Sequence, residues 1–294
     1  MKRRWVLGSL VAASILVLHG CSTLTGGQNT APAVSKADKA RLVEITEGLP
    51  AEQQARYPYR HPVETLSFFG IKPGSTVVEA LPGGGWYSKI LLPYLGDEGR
   101  LIGVDYSADM WPHFGGFATA EFIENRKQWP AEWVADAKTW SGQGAKASAY
   151  TFTTLPAGLE GQADAVLFIR ALHNLARFED KGGYLTQALA ETHRVLKPNG
   201  IVGIVQHAIA DDVPDAWAKG DRGYLKRADI MAAMESAGFE FVAESDINKN
   251  AKDAPKDGDV VWRLPPSLRT DDAQKAANTE IGESNRVTLL FRKR

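Results

Sequence analysis

Cysteine is nearly missing from this chain: of 294 residues, only Cys21 carries a thiol, and it stands close to the N-terminus. An internal disulfide is therefore excluded, and so is thiol-based nucleophilic catalysis in the rest of the chain. Long apolar runs are equally scarce, the stretch 5–18 being too short for a membrane span. No basic run of the kind that grips phosphate backbones occurs, so nucleic acid is an unexpected partner. His-Cys clusters and His-Glu pairs at helical spacing are missing too, and no metal site is expected. There is neither an internal repeat nor a low-complexity run. What remains, 44% hydrophobic and 23% charged residues, is ordinary globular composition with length for one large core.

The N-terminus is a separate matter. Lys2-Arg3-Arg4, an apolar stretch and Leu18-His19-Gly20-Cys21 have the layout of a secretory signal, with the single cysteine at its end. The segment resembles a bacterial lipoprotein signal, in which the cysteine receives lipid and becomes the first mature residue. His19 departs from the small or apolar residue usual there, and an uncleaved anchor is the alternative reading. By the same resemblance, Ser22 after the cysteine favours the outer membrane. Residues 22–34, rich in Gly, Thr, Asn, Ala and Pro, hold too few large apolar side chains to fold and read as a flexible tether. The expected organisation is a lipoprotein-type signal over 1–21, a tether over 22–34 and one folded domain over 35–294. The chain would be exported and held through lipidated Cys21 on the periplasmic or outer face of a bacterial envelope. Without Lys2, Arg3 and Arg4, the 34 basic residues fall to 31 against 35 acidic, a net charge of −4.

Ser35 with Asp38 makes a capping box, and Gly48 with Pro50 stops the helix it starts. A short helix opens at Pro62 and closes at Gly70. Strand and helix patterns then alternate: strands over 76–81, 101–105, 163–169, 201–205, 239–244 and 286–292, helices over 86–95, 184–196 and 228–237. This rhythm predicts an α/β fold, a Rossmann-like doubly wound and mostly parallel seven-stranded sheet. Residues 110–143, with Trp111, Trp129, Trp133 and Trp140, read as a partly helical insertion. The polar segment 246–285 is long enough to be a lid.

Val77-Val78-Glu79-Ala80-Leu81-Pro82-Gly83-Gly84-Gly85-Trp86-Tyr87 runs a buried strand into a glycine turn, and Leu101-Ile102-Gly103-Val104-Asp105 follows. Glycines let backbone approach a ligand at a helix N-terminus, and a carboxylate ending the next strand can accept hydrogen bonds from ribose hydroxyls. Glu79 is also readable as a cap for the turn, and Asp105 as an ordinary turn aspartate.

From about Val63 onward the chain resembles the class I S-adenosylmethionine-dependent methyltransferases, closest to a bacterial group with a lipoprotein or secretory leader. The resemblance rests on Glu79 ahead of the glycines, on Thr192-His193-Arg194-Val195-Leu196-Lys197-Pro198-Asn199-Gly200-Ile201, on Ala237-Gly238-Phe239, and on Val287-Thr288-Leu289-Leu290-Phe291. It implies S-adenosyl-L-methionine as cofactor and an antiparallel last strand. It also implies that Glu79, Gly83 and Gly85 hold the methionine end, that Asp105 holds the ribose, and that Thr151 stands where an acidic residue often receives the adenine. Leu81 departs from the glycine usual at its position.

Ile169-Arg170-Ala171-Leu172-His173-Asn174-Leu175 occupies the place where acceptor and cofactor would meet, and it lacks the Asn/Asp-Pro-Pro-aromatic run of base-amino and amide methylating relatives. His173 is a candidate to take a proton from a hydroxyl or carboxyl acceptor, and Arg170 to bind an acid. Each is equally readable as a packed histidine and a salt-bridged arginine. Tyr57-Pro58-Tyr59-Arg60-His61-Pro62, carrying Tyr59 and His61, could close over the mouth of the first strand. His207 is a weaker candidate of the same kind. Two functions stay open: a methyltransferase acting on a small-molecule or envelope acceptor, and a non-catalytic binding or interaction module on the same fold.

Overall fold

The computed structural model describes residue 1 and residues 33–141 and 146–294. The expected signal, Cys21 and nearly all of the tether lie outside the described residues. Eight strands form: β1 (Thr76–Ala80), β2 (Arg100–Asp105), β3 (Lys146–Thr151), β4 (Ala163–Ile169), β5 (Leu196–Ile209), β6 (Leu225–Lys226), β7 (Phe239–Ser245) and β8 (Arg286–Lys293). Seven lie side by side in the order β3-β2-β1-β4-β5-β8-β7, and the two-residue β6, not expected from the sequence, pairs with the end of β5. Strands β1 to β5 are mutually parallel, whereas β8 runs antiparallel between β5 and β7. This is the Rossmann-like, doubly wound α/β sheet that the alternating pattern implies, with its antiparallel last strand.

Among the described residues, twelve α-helices pack around it: α1 (Lys36–Glu47), α2 (Ala51–Gln54), α3 (Tyr57–Arg60), α4 (Pro62–Phe68), α5 (Ser88–Leu95), α6 (Ala120–Arg126), α7 (Trp129–Ser141), α8 (Leu172–Arg177), α9 (Glu179–Gly182), α10 (Tyr184–Val195), α11 (Arg227–Ser236) and α12 (Asp272–Ile281). The capping box works as the sequence suggests, because the Asp38 amide donates to Ser35 Oγ at 3.0 Å and α1 ends at Gly48. Helices α1, α4, α5 and α7 cover one face through Leu42, Leu66, Ile90, Leu91 and Trp133, while α8, α10 and α11 cover the other through Leu172, Leu189, Ile230 and Met234. Ile90, Leu91 and Leu92 are wholly buried on α5. Each such side chain stabilises the fold by roughly 1.5–3 kcal/mol, so α5 is fixed firmly behind the glycine turn.

Strand β5 is longer than expected because it has partners on both sides: Leu196 already pairs with Ala163, and His207 still pairs with Arg286. Helix α10 stops at Val195 as the Lys197-Pro198-Asn199-Gly200 phrase implies. The insertion over 110–143 is helical, supplying α6 and α7. Segment 246–285 is bolted down rather than hung as a lid. Buried Asp253 accepts hydrogen bonds from Tyr224 Oη at 3.1 Å, Arg263 Nη2 at 2.8 Å and the Asn285 amide at 2.9 Å. Such a buried, fully partnered charge rigidifies whatever contributes to it.

Candidate functional site

The strand order reverses between β1 and β4, so a crevice opens at their carboxyl ends. The residue after each strand lies in the left-handed region without being glycine: Leu81 at φ 54° and Arg170 at φ 60°. Each costs on the order of 1 kcal/mol and persists because its surroundings hold it. The holding bonds are visible, since the Leu81 amide donates to Val104 O at 2.7 Å and the Arg170 amide to Val205 O at 2.6 Å.

The three glycines of the turn have different jobs. A Cβ on Gly83 or Gly84 would meet nothing within 4 Å, so backbone there faces open space. A Cβ on Gly85, at φ 74°, would lie 2.4 Å from the Trp140 ring. Gly85 therefore lets α7 close against the turn, a packing role that the sequence alone does not distinguish from ligand contact.

Glu79 points into the interior at the end of β1, 3% exposed, and Ser88 Oγ donates to it at 2.6 Å. Burial pushes its carboxyl up to about 7, with the Ser88 hydrogen bond opposing. Asp105 is buried at the end of β2, where Arg126 of α6 donates to its Oδ2 in a close ion pair. The Arg126 guanidinium also lies over Trp111 and Trp129, 4.8 and 5.4 Å from the ring centres. Thr151 stands beside Asp105 in register, its hydroxyl 3.1 and 3.0 Å from those of Thr153 and Thr154.

Across the crevice, His173 opens α8 with its ring 5.6 Å from that of His207 and 6.1 Å from Trp262. Burial holds His173 down at about 4 against the opposing Gln206 hydrogen bond, with smaller downward contributions from the charges of Arg170 and Arg177, so the ring is neutral. His207, 2.5 Å from Ser284 Oγ, is held well below its ordinary value by burial and by the neighbouring His173 and Arg170. A cavity of about 300 Å³ lies alongside, lined by Phe114, Phe117, Asn174, Arg177, Trp262 and Arg269.

Segment 57–62 reaches the turn through Arg60 rather than through its tyrosine or histidine candidates. Arg60 lies 4.4 Å over the Trp86 ring, and Tyr87 Oη donates to the Arg60 carbonyl at 3.2 Å. Tyr59 is exposed and rests on Gly282; it lines, with His61, Asn248, Glu283 and Arg286, a separate cavity of about 210 Å³. The structure thus brings Glu79, Gly83, Asp105 and Thr151 along one side of the crevice and Arg170 and His173 along the other, with Tyr59 and His61 behind. Arg126, Trp140, Glu283 and Arg286 are participants with no local sequence signal: Arg126 meets Asp105 and Trp140 meets Gly85 on other elements, and Glu283 draws Arg56 and Arg60 from the far end of the chain. Among the described residues, no group of three or more His, Cys, Asp or Glu could hold a metal ion.

Fold and site together define a Rossmann-like, doubly wound α/β protein with a crevice where its strand order reverses. Residues 78–204, from β1 into β5, match the family described as a methyltransferase domain. No curated protein matches the chain. Among solved structures it is similar to the [4+2]-cyclase SpnF, at 15% identity over 90% of this chain and 97% of that one with a TM-score of 0.48. It is similar also to 1,6-didemethyltoxoflavin-N1-methyltransferase of Burkholderia thailandensis, solved with S-adenosylhomocysteine, at 16% identity over 90% and 92% with a TM-score of 0.44. A third is a SAM-dependent methyltransferase of Aquifex aeolicus, 16% identical over 70% and 93% with a TM-score of 0.45. None of these likenesses speaks to the acceptor of this chain.

The domain match supports S-adenosylmethionine as the cofactor, and the donor set agrees. Open backbone at Gly83 and Gly84, a buried carboxylate at Glu79 and a second carboxylate at the next strand end suit an amino-acid ammonium and a ribose diol. On the ribose side, Arg126 must first yield Asp105.

Proposed function

We propose that this chain is an S-adenosylmethionine-dependent methyltransferase for a small-molecule or envelope acceptor, exported and tethered through lipidated Cys21. The observation that carries the reading is the open Gly83–Gly84 backbone set between buried Glu79 and strand-ending Asp105. When bound, S-adenosylmethionine supplies a methyl group on a positively charged sulfur.

The chain's own residues bind and orient. Glu79, near neutrality in its buried state, loses its proton when an ammonium comes within reach and then pairs with it. Asp105 accepts from a diol once Arg126, already seated over the faces of Trp111 and Trp129, releases it. Displacement in line needs the acceptor positioned more than activated. His173, neutral and held at about 4, is a weak base at neutral pH; it orients an acceptor by hydrogen bonding rather than taking a full proton.

A second reading, a binding module without catalysis, is favoured by Arg126 on Asp105 and by Leu81 where a glycine would leave backbone bare. Titration calorimetry with S-adenosylhomocysteine separates them. Binding in the micromolar range supports methyl transfer, and silence up to millimolar ligand would leave the module. Metabolic labelling with a lipid precursor, in the native chain and in Cys21→Ser, tests the tether.

A further inference from the structure

Four arginines converge behind the crevice on one carboxylate. Arg56 Nη2 lies 2.6 Å from Glu283 Oε1, Arg286 Nη1 lies 3.2 Å from Glu283 Oε2, and Arg60 Nε lies 3.5 Å from that same oxygen. Arg170 faces the group from the end of β4, its charge acting on Arg60, Glu283 and His207. Arg60, Arg286 and Glu283 are each less than 5% exposed. Formal charge in the cluster is thus four positive against one negative.

The arginines are not equally satisfied. Arg286 donates to the carbonyls of Ser284 at 3.2 Å and Tyr59 at 2.8 Å, and Arg56 Nε donates to Glu283 at 2.7 Å. These two tie α3 to the start of β8. Arg60 Nε and Nη2, Arg170 Nε and Arg56 Nη2 are buried with no hydrogen-bond partner among the described residues, and of these only Arg56 Nη2 and Arg60 Nε have an ion pair, to Glu283. Nε with Nη2 is one edge of the guanidinium fork, the edge that takes two oxygens of one carboxylate or phosphate. Burial leaves Arg60 at about 9 and Arg170 at about 10, both still cationic at neutral pH; neighbouring arginines add to the lowering and Glu283 opposes it.

A buried cation without a partner costs several kcal/mol, and replacing such groups by apolar ones often stabilises a protein. A cluster that keeps an excess of positive charge beside the reaction crevice, with a fork edge whose Nε has only a 3.5 Å ion pair to Glu283 and whose Nη2 has no hydrogen-bond partner among the described residues, is arranged for an anion. One carboxylate of a cofactor would engage a single fork and leave the surplus. We propose that Arg60 and Arg170, backed by Arg56 and Arg286, bind a compact oxyanion, a carboxylate or phosphate group, carried by the methyl acceptor. The assignment to the acceptor rests on the methyl-transfer reading; the oxyanion site itself does not. The neighbouring cavity, whose wall holds Lys249 and Lys252 beside Arg286, gives the cluster a cationic approach.

The test uses the whole chain with inorganic phosphate and, separately, acetate as probes, followed by calorimetry and thermal melting without cofactor. Phosphate or acetate should bind with Kd in the millimolar range or tighter and raise Tm as concentration passes Kd. Whichever probe binds more tightly names the class. Arg60→Gln and Arg170→Gln should each weaken that binding by about tenfold or more. A purely structural strut predicts that Arg170→Met lowers Tm in probe-free buffer, whereas an anion site predicts an unchanged or raised Tm together with loss of the probe's effect. Arg170, half-buried and without a side-chain hydrogen bond, is the variant expected to fold whatever happens at Arg60. Binding of neither probe up to about a hundredfold above the millimolar range, or binding that survives both substitutions, overturns the site. Saturating S-adenosylhomocysteine should leave phosphate binding intact; mutual exclusion would overturn the acceptor assignment and give the cluster to the cofactor's carboxylate. Phosphate binding with no S-adenosylhomocysteine binding would defeat methyl transfer while leaving the oxyanion site standing.

Discussion

The Arg126 guanidinium occupies the carboxylate of Asp105, the group proposed to hold a ribose. The two cannot serve both partners at once. Arg126→Ala should tighten S-adenosylhomocysteine several-fold while lowering Tm in its absence, because a buried carboxylate left unpaired costs about 1–3 kcal/mol. Asp105→Asn should weaken the same ligand by about tenfold. Calorimetry on both variants checks the exchange, and equal affinities across the three proteins would move the ribose elsewhere.

Glu79 carries a pH signature. Its folded value of about 7 lies above the ordinary 4.5, so between those values the folded chain holds a proton that the unfolded chain has lost. Stability from this group is present below about 4.5 and drains away as pH rises towards 7, on the order of 3 kcal/mol in all. Glu79→Gln should therefore gain on the native protein steadily from pH 5 to pH 8 in urea denaturation. Ligand binding should run the other way, since an ammonium needs the ionised carboxylate: S-adenosylhomocysteine affinity should climb from pH 6 to pH 8 in the native protein and stay flat in the variant.

His173 has the opposite sign. Folded at about 4 against an unfolded 6.5, it refuses a proton that the unfolded chain accepts, so the fold weakens as pH falls from 6.5 towards 4. His173→Asn should flatten that acid limb by up to about 3 kcal/mol. A variant that melts in parallel with the native protein over this range would show the ring to be solvated.

Leu81 sits at φ 54° with its side chain against the core. Leu81→Gly relieves the backbone and loses packing and chain entropy, terms of about 1 kcal/mol each that nearly cancel. The expected result is a Tm little changed with S-adenosylhomocysteine bound several-fold more tightly. A weaker complex would make Leu81 part of the binding surface instead of an obstruction.

Periodicity was enough to find six of the strands with their ends within a few residues, because buried parallel strands write continuous apolar runs and glycine or proline marks their ends. It missed β3, whose Lys146-Ala147-Ser148-Ala149-Tyr150-Thr151 has no continuous apolar run, and β6, two residues long and without any pattern, and it underran β5, whose length is set by partners on either side. At the site, Glu79, Gly83, Asp105 and Thr151 are legible since strand-turn-helix geometry is local. Arg126, Glu283 and Arg286 are not. An arginine bonded to a carboxylate 227 residues away, as Arg56 is to Glu283, leaves no mark in the residues around either. Tyr59 and His61 share a hexapeptide with Arg60, yet the left-handed turn at His61, φ 41°, sends them to a different cavity.

Strand β8 enters the sheet at Arg286, directly opposite His207 on β5. Arg286 and its partner Glu283 are thus delivered some eighty residues after the strand they complete, and a nascent chain stopping short of residue 283 would hold Arg56, Arg60 and Arg170 without the carboxylate they converge on. The full constellation is in this way tied to completion of the sheet: the first strands can pair early, but the cluster closes only once β8 has slotted in.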